Sequence, residues 1–258
     1  METNFVSGTD RQLQILQLVE GQQRLSVADI CATFEVSEAT ARRDLETLAS
    51  QGKIQRVHGG AIALTQAPPE QPILQRQSEQ ADEKKHIGQA AAALVQDGET
   101  IFLGSGTTVL EAARSLRGRR NLTVLTNSLP VVNALAGAEG ITVICLGGML
   151  RDSEFSFIGH ITEQTLTEVR ADKVLIGTRA ISLDHGLTNE YLPETMTDRA
   201  ILKAGVEIIV LADHTKFGRA ATVLLAPLDS LHVIVTDKGT PQDFLDAVQE
   251  RRIRVVIT

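Results

Sequence analysis

The residues best equipped for chemistry in this 258-residue chain fall in two groups. One is a run of small and hydroxyl side chains, Gly104-Ser105-Gly106-Thr107-Thr108, placed between a short apolar run and a helical stretch. Glycines let backbone N–H groups approach an anion, hydroxyls add donors, and a helix N-terminus adds favourable partial charge. The other is the stretch from Ser37 to Gly60, SEATARRDLETLASQGKIQRVHGG, in which paired arginines precede a basic hairpin. Such groups suit phosphate and base-edge contacts. The plain alternatives are a tight turn without ligand and an amphipathic helix with a solvated charged face.

More polar clusters follow apolar runs: Thr126-Asn127-Ser128, Gly147-Gly148 with Arg151 behind, Gly177-Thr178-Arg179 with His185 to Glu190 behind, and Asp213 to Arg219. Together they describe a polar pocket for a small anionic ligand. Its candidate residues are Gly104, Ser105, Gly106, Thr107, Thr108, Asn127, Ser128, Gly148, Arg151, Arg179, Glu194 and Lys216. Arg151, Arg179 and Lys216 are equally open to surface ion pairs. No GK[ST] follows Gly104–Thr108, which excludes a P-loop, and the run is not GxGxxG. No cofactor and no metal is expected. A catalytic alternative puts Asp213, Glu194 and Lys216 to work as acid, base and phosphate anchor in a sugar-phosphate isomerase or hydrolase. No paired-carboxylate or nucleophile–base motif supports it.

These side chains need elements to hold them. Ser37 is an N-cap, and Ala41, Leu45 and Leu48 form one apolar stripe behind it. Ala39, Thr40, Arg43 and Glu46 then face solvent, with Arg42 at the edge. Gly52 serves as the C′ residue. Lys53–Val57, a turn at His58–Gly60 and Ala61–Ala63 make a hairpin wing. Upstream, a helix from Asp10 to Glu20 turns Leu13, Leu16 and Ile15 inward and stops at Gly21. Ser26-Val27-Ala28-Asp29 opens a second helix with a capping box, running through Phe34, with Ile30 and Phe34 inside. The two helices joined at Glu35–Ser37, with the wing, predict a winged helix-turn-helix for double-stranded operator DNA. Its candidate DNA contacts are Ser37, Ala39, Thr40, Arg42, Arg43, Lys53, Arg56, His58 and Gly59.

Residues 1–9 lack periodicity and are expected to form a loose tail. Residues 65–82 are rich in Pro and Gln and are expected to form a linker between a DNA-binding domain at 1–64 and an α/β domain at 83–258. A helix is expected over Glu83–Val95. Beyond it, candidate strands at Thr100–Leu103, Thr123–Leu125, Thr142–Leu146, Lys173–Ile176, Ile208–Leu211, Val233–Thr236 and Val255–Ile257 alternate with helices near Val109–Leu116, Pro130–Leu135, Ile161–Val169, Glu194–Lys203 and Gln242–Arg251. The alternation predicts a doubly wound, mainly parallel sheet with ligands at the carboxyl ends of its strands.

Composition limits the partners. Net charge is −7. Residues 1–64 hold six Lys/Arg against eight Asp/Glu, while Arg42 to His58 hold four against two. DNA affinity must come from a few placed groups and from presenting them in a dimer or tetramer. Cys31 and Cys145 sit in apolar runs and are expected to be buried thiols. No run of about 18 apolar residues suggests a membrane span, so a cytoplasmic protein without membrane contact is expected. Trp is absent and aromatics make up 3% of the chain, which argues against stacking platforms for single strands.

The sequence resembles the DeoR/GlpR family of bacterial transcriptional regulators over nearly its whole length. Val36-Ser37, Thr40, Arg42-Arg43-Asp44-Leu45, Leu48, Gly52, Arg56 and His58-Gly59-Gly60-Ala61 match that family's helix-turn-helix signature. Gly104–Thr108, Thr126-Asn127-Ser128, Gly147-Gly148, Gly186-Leu187-Thr188 and Asp213–Gly218 are similar to its sensor domain. The resemblance implies a second domain like ribose-5-phosphate isomerase in fold, a phosphorylated sugar or related metabolite as effector, and repression of a carbohydrate-catabolic operon by an oligomer. Two positions depart from the pattern: Arg179 stands where Asp or Asn is frequent, and Asp198 where Lys often follows Glu194. An Arg179 that takes over the anion-binding task of the missing Lys would preserve the ligand class.

Overall fold

The computed structural model describes residues 8–22, 24–50, 53–63 and 67–258. Gly52 and residues 1–7 of the tail, for which expectations stand above, lie outside them. The chain divides into two compact units, residues 1–68 and 69–258.

The smaller unit holds α1 (Gly8–Gln22), β1 (Arg24–Ser26), α2 (Val27–Phe34), α3 (Glu38–Ser50), β2 (Ile54–Val57) and β3 (Gly60–Ala63). The Ser26 hydroxyl accepts the Asp29 N–H at 3.0 Å and the Asp29 carboxylate accepts the Ser26 N–H at 3.0 Å, a reciprocal capping box that fixes the start of α2. Ile15, Val19, Ile30, Ala41, Leu45 and Leu48 are sealed in one core. Each large side chain among them contributes about 1.5–3 kcal/mol by leaving water. Two expectations for α1 are corrected. Leu13 is 51% exposed and Val19 takes the inward place with Ile15. Gly21 lies within the helix, which runs to Gln22. The hairpin is a sheet of three strands in the order β1-β3-β2, because Leu25 pairs with Ala61 across a strand that the sequence pattern was too short to reveal. The turn is tighter than expected. Gly59 has φ +82°, and Gly60 already pairs with both neighbours. A side chain at Gly60 would collide with the carbonyl oxygen of Leu25, so glycine is required where β1 and β3 meet.

The larger unit holds α4 (Ile73–Arg76), α5 (Ala81–Ala93), β4 (Thr100–Leu103), α6 (Thr107–Ser115), β5 (Leu122–Thr126), α7 (Leu129–Leu135), β6 (Ile141–Cys145), β7 (Met149–Arg151), β8 (Ser156–Ile158), α8 (His160–Leu166), β9 (Ala171–Ile176), β10 (Ala180–Ser182), β11 (Gly186–Asn189), α9 (Leu192–Ala204), β12 (Gly205–Leu211), β13 (Val223–Ala226), β14 (Val233–Thr236), α10 (Gln242–Glu250) and β15 (Arg254–Ile257). The seven expected strands form one parallel sheet in the order β15-β14-β12-β9-β4-β5-β6. Alternate residues face opposite layers. Ile101, Leu103, Leu175, Ile209 and Leu211 pack with α5, α6 and α7, while Phe102, Val174, Ile176 and Val210 pack with α8, α9 and α10. Burial on both faces explains why these strands read as continuous apolar runs.

Five short strands have no counterpart in the expected pattern. β7 and β8 form an antiparallel hairpin, and β10, β11 and β13 a second antiparallel sheet. Within the Pro- and Gln-rich stretch α4 forms a helical turn, and its Ile73 is fully buried. Cys145 corrects the expectation of a buried thiol. It ends β6, the edge strand, and is exposed; Cys31 is half-buried.

Candidate functional site

The sheet order reverses between β4 and β9: the chain runs outward through β5 and β6, then resumes on the other side of β4. Loops leaving such a switch point diverge and leave a crevice. A cavity of about 60 Å³ lies there, walled by Ser105–Val109 after β4, Ile176–Arg179 at the end of β9, Lys216 after β12, and side chains from α4, α5, α9 and β11.

Gly106 precedes the first turn of α6 and offers no side-chain cap. The first N–H groups of a helix have no partner inside it. Thr107 and Thr108 are 7% and 8% exposed, line the cavity, and their hydroxyls make no hydrogen bond among the described residues. Two lysines share this wall. Lys84 Nζ donates to the Arg76 carbonyl at 2.7 Å, and the Lys216 ammonium makes no hydrogen bond or ion pair among the described residues. Burial lowers the pKa of both, partly offset by the nearby Asp213 carboxylate. Hydroxyls without partners among the described residues, a helix N-terminus and two lysines give this end of the cavity a donor-rich, positively charged lining.

The opposite wall is acidic. Arg151 donates to Glu70 at 2.8 Å and also pairs with Glu194, whose other oxygen accepts the Ser156 hydroxyl at 2.9 Å. Arg76 pairs with Glu154, which burial pushes up and Arg76 pulls back. Asp198 accepts the Asn189 amide at 3.0 Å. Burial, then the like charge of Glu70, push the Asp198 carboxyl up to about 7. Arg179 lies at the boundary and donates to the Pro69 carbonyl at 2.9 Å; burial lowers its pKa.

Of the candidate effector residues, Ser105, Gly106, Thr107, Thr108, Arg179, Glu194 and Lys216 come together around the cavity. Gly104, Asn127, Ser128, Gly148 and Arg151 do not line it. A Cβ on Gly104 would press on Ile176 at 3.3 Å, so this glycine serves strand packing. Gly148 lies against Ile158 and Thr162. Asn127 and Ser128 are covered by β8. The Asn127 amide donates to the Phe157 carbonyl at 2.9 Å, the Phe157 N–H donates to the Asn127 carbonyl at 2.7 Å, and Ser128 bridges to Ser156. Arg151 stands behind the wall and holds Glu70 and Glu194. Two of the expected catalytic groups are engaged locally: Asp213 accepts the Thr215 N–H at 3.0 Å, and Glu194 is held by Arg151 and Ser156.

The wall also takes residues that sequence reasoning missed: Glu70, Arg76, Lys84, Glu154 and Asn189, with Asp198 noted there only as a departure. A signal existed for two of them. Lys84 shares a helical stripe with Ile87 and Ala91, and Asp198 lies between Glu194 and Ile201 on the buried stripe of α9. Charge at helical spacing among apolar neighbours marks an inward-facing polar group. Glu70 and Arg76 lie in an aperiodic stretch and had no such mark.

In the smaller unit, Ser37, Ala39, Arg42, Arg43, Lys53, His58 and Gly59 are exposed, while Thr40 and Arg56 are half-buried. The Ser37 oxygen accepts the Thr40 N–H at 3.3 Å and lies 3.0 Å from the Thr40 hydroxyl. Arg42 pairs with Glu38 at 3.1 Å, and Arg56 donates to the Gly60 carbonyl at 3.2 Å, bracing the wing. The side chains of Arg43, Lys53 and His58 have no partner among the described residues. Asp44 was missed as a structural residue. Buried in α3, it accepts Arg11 at 2.6 Å and Gln12 at 2.9 Å and so ties α1 to the exposed helix.

A winged helix-turn-helix unit followed by a polar crevice in a doubly wound domain defines a ligand-responsive DNA-binding protein. Models of two domains match: the DeoR-like helix-turn-helix domain over residues 11–67 and the DeoR C-terminal sensor domain over residues 79–238. The chain belongs to the DeoR family and is a transcriptional regulator. It is 35% identical to the transcriptional repressor AccR of Agrobacterium fabrum, covering 96% of each chain. It is 33% identical to the glycerol-3-phosphate regulon repressor of Escherichia coli (strain K12), over 96% of this chain and 98% of that one. Identity to a putative aga operon transcriptional repressor of Escherichia coli O157:H7 is 32%, over 98% and 95%. Among solved structures, ribose-5-phosphate isomerase A of Methanocaldococcus jannaschii aligns at 20% identity and a TM-score of 0.41, over 54% of this chain and 55% of that one. That likeness is too distant to bear on chemistry. Among the described residues, no helix is long and apolar enough to cross a membrane, and no group of three or more His, Cys, Asp or Glu is placed to hold a metal ion.

Proposed function

We propose that this regulator represses a carbohydrate-catabolic operon in the cytoplasm and leaves its operator when a phosphorylated sugar or related metabolite binds. The observation that carries the reading is the pair of hydroxyls of the largely buried Thr107 and Thr108 at the start of α6, without partners among the described residues, lining a cavity that Lys84 and Lys216 also line. Related proteins named for the glycerol-3-phosphate regulon and the aga operon support the ligand class and the repressor role. Residues 1–64 act as the DNA-binding domain, residues 65–82 as the connection, and residues 83–258 as the sensing and oligomerisation domain. Ser37, Ala39 and Thr40 at the start of α3 approach the groove, Arg42 and Arg43 contact bases or phosphates, and Lys53, Arg56, His58 and Gly59 of the wing contact the backbone.

The connection offers a route from effector to DNA. A cavity of about 60 Å³ holds on the order of five waters, less than a sugar phosphate needs. Residues 69–76 form one wall and are tied down by Arg179 to the Pro69 carbonyl, the Glu70 N–H to Glu190 at 2.7 Å, Arg151 to Glu70, the Ile73 N–H to the Ser153 carbonyl at 2.8 Å, and Arg76 to Glu154. A ligand that recruits Arg179 and Lys84 competes for these ties, so the segment that follows the DNA-binding unit moves when the cavity fills.

Thermal-shift titration with phosphorylated sugars, polyols and sugar acids, followed by operator gel shifts, tests the reading. A compound that stabilises the protein is expected to release DNA at the same concentrations. Thr108→Val is expected to raise the concentration needed for release while sparing operator affinity. Equal responses of variant and parent would remove the anion site, and conversion of the sugar would favour an enzyme.

A further inference from the structure

The two ends of the cavity carry opposite charge. Lys84 and Lys216 share the electrostatic neighbourhood of Asp213, beside the Thr107 and Thr108 hydroxyls. Asp198 instead feels Glu70, Arg151 and Glu154, and it stands one helical turn after Glu194 on α9. On that acidic side the cations are already committed. Arg151 serves both Glu70 and Glu194, and Arg76 is taken by Glu154. Asp198 has one hydrogen bond, from the neutral Asn189 amide, and no cation within ion-pair distance among the described residues. A buried carboxylate without a counter-ion is costly and is stabilised when a cation enters beside it.

We propose that the effector is bipolar, a phosphorylated sugar or polyol that carries an ammonium group at the end away from its phosphate, with the phosphate at Thr107, Thr108, Lys84 and Lys216 and the ammonium at Asp198 and Glu194. The proposal rests on the sugar-phosphate reading above and narrows it. Hydroxyl groups can donate to Asp198 but leave its charge unbalanced, whereas an ammonium donates and neutralises. The high pKa of Asp198 fits such a site, because a bound cation returns the carboxyl to its ionised form.

Isothermal titration of the full chain with four probes tests this: inorganic phosphate, a hexose phosphate, the corresponding aminohexose phosphate, which differs from it only by an ammonium in place of one hydroxyl, and its N-acetylated form, which loses the charge and adds bulk. The aminohexose phosphate is expected to bind at least about tenfold more tightly than the hexose phosphate and the N-acetylated compound. In Asp198→Asn the affinities for amino and hydroxyl compounds are expected to converge. Equal binding of the charged and uncharged sugar phosphates by the parent chain overturns the bipolar site and leaves the sugar-phosphate reading standing. A preference that persists in Asp198→Asn also overturns it. If none of the phosphorylated compounds binds, both readings fall. The comparison among ligands on the parent chain decides the matter even if the variant does not fold.

Discussion

Arg43 is exposed on α3, between the buried Ala41 and Leu45, and no described residue holds its guanidinium. Arg42 beside it is tied to Glu38. Removing Arg43 is therefore expected to cost the proposed DNA contact without opening the core. Arg43→Ala is expected to weaken operator binding by roughly two orders of magnitude or more when both copies of a dimer lose the contact. Its stability should stay within about 0.5 kcal/mol of the parent. Parallel gel-shift titration and thermal melting check the two halves of this expectation. Asp198 makes the opposite case, a residue whose charge burdens the empty protein. Facing it are Glu70, Glu154 and Glu194 of like sign, Arg151, and the Asn189 amide. Its carboxyl titrates at about 7 when folded against 3.8 as the ordinary value, so the folded state holds the proton more tightly. Its contribution to stability is full below about pH 4 and is lost as pH rises through 7. Asp198→Asn is expected to be more stable than the parent at pH 8 by about 1–3 kcal/mol, with the difference shrinking as pH falls and vanishing near pH 4. Urea unfolding at the two pH values measures it.

At the scale of elements, the anion site depends on how closely α5 and α6 approach. Gly88 of α5 lies against the backbone of α6. A Cβ there would sit 2.6 Å from the Ala112 nitrogen. Helix propensity favours alanine over glycine by about 1 kcal/mol, but overpacking against a rigid backbone costs about 1–3 kcal/mol and separates the helices. Gly88→Ala is expected to lower the melting temperature by about 3–8 °C. It should also weaken binding of the stabilising sugar phosphate, since Lys84 on α5 and Thr107 on α6 would move apart; calorimetry reads both. Elements likewise explain which strand ends open onto the cavity. The loops after β5 and β6 have suitable residues, but the β7–β8 hairpin lies across them and engages the Asn127 amide and backbone, burying the Asn127 Oδ1 and Ser128 Oγ atoms. After β4 the Thr107 and Thr108 hydroxyls, and after β12 the Lys216 ammonium, make no hydrogen bond among the described residues.

For the whole molecule the deciding quantity is charge. The DNA-binding unit is net acidic, and four Lys/Arg lie between Arg42 and His58. If each makes one phosphate contact, a single copy gives a slope of log affinity against log salt of about −3.6, and a pair about −7. We expect the steeper slope, together with a solution mass that is a multiple of 27.9 kDa; operator titrations across salt and light scattering test the pairing. Much of the architecture was legible along the chain. The capping box at Ser26–Asp29, the Ala41–Leu45–Leu48 stripe and the seven parallel strands follow from local periodicity, because a buried strand or helix face must be written into consecutive residues. So was the hydroxyl-rich turn Gly104–Thr108 as a strand end before a helix, which the structure places at the cavity. The sequence by itself thus determined the main helices and the seven parallel strands, and pointed to one end of the cavity. Only the tertiary structure decided the other end. Glu70 and Arg76, Glu154, Asn189 and Asp198 lie on four separate segments, and apart from the helical stripe that carries Asp198 nothing local marks residues that meet only because β4 and β9 flank a reversal of strand order. Which charges are spent on one another and which remain for a ligand is a property of distances, and distances of this kind exist only after folding.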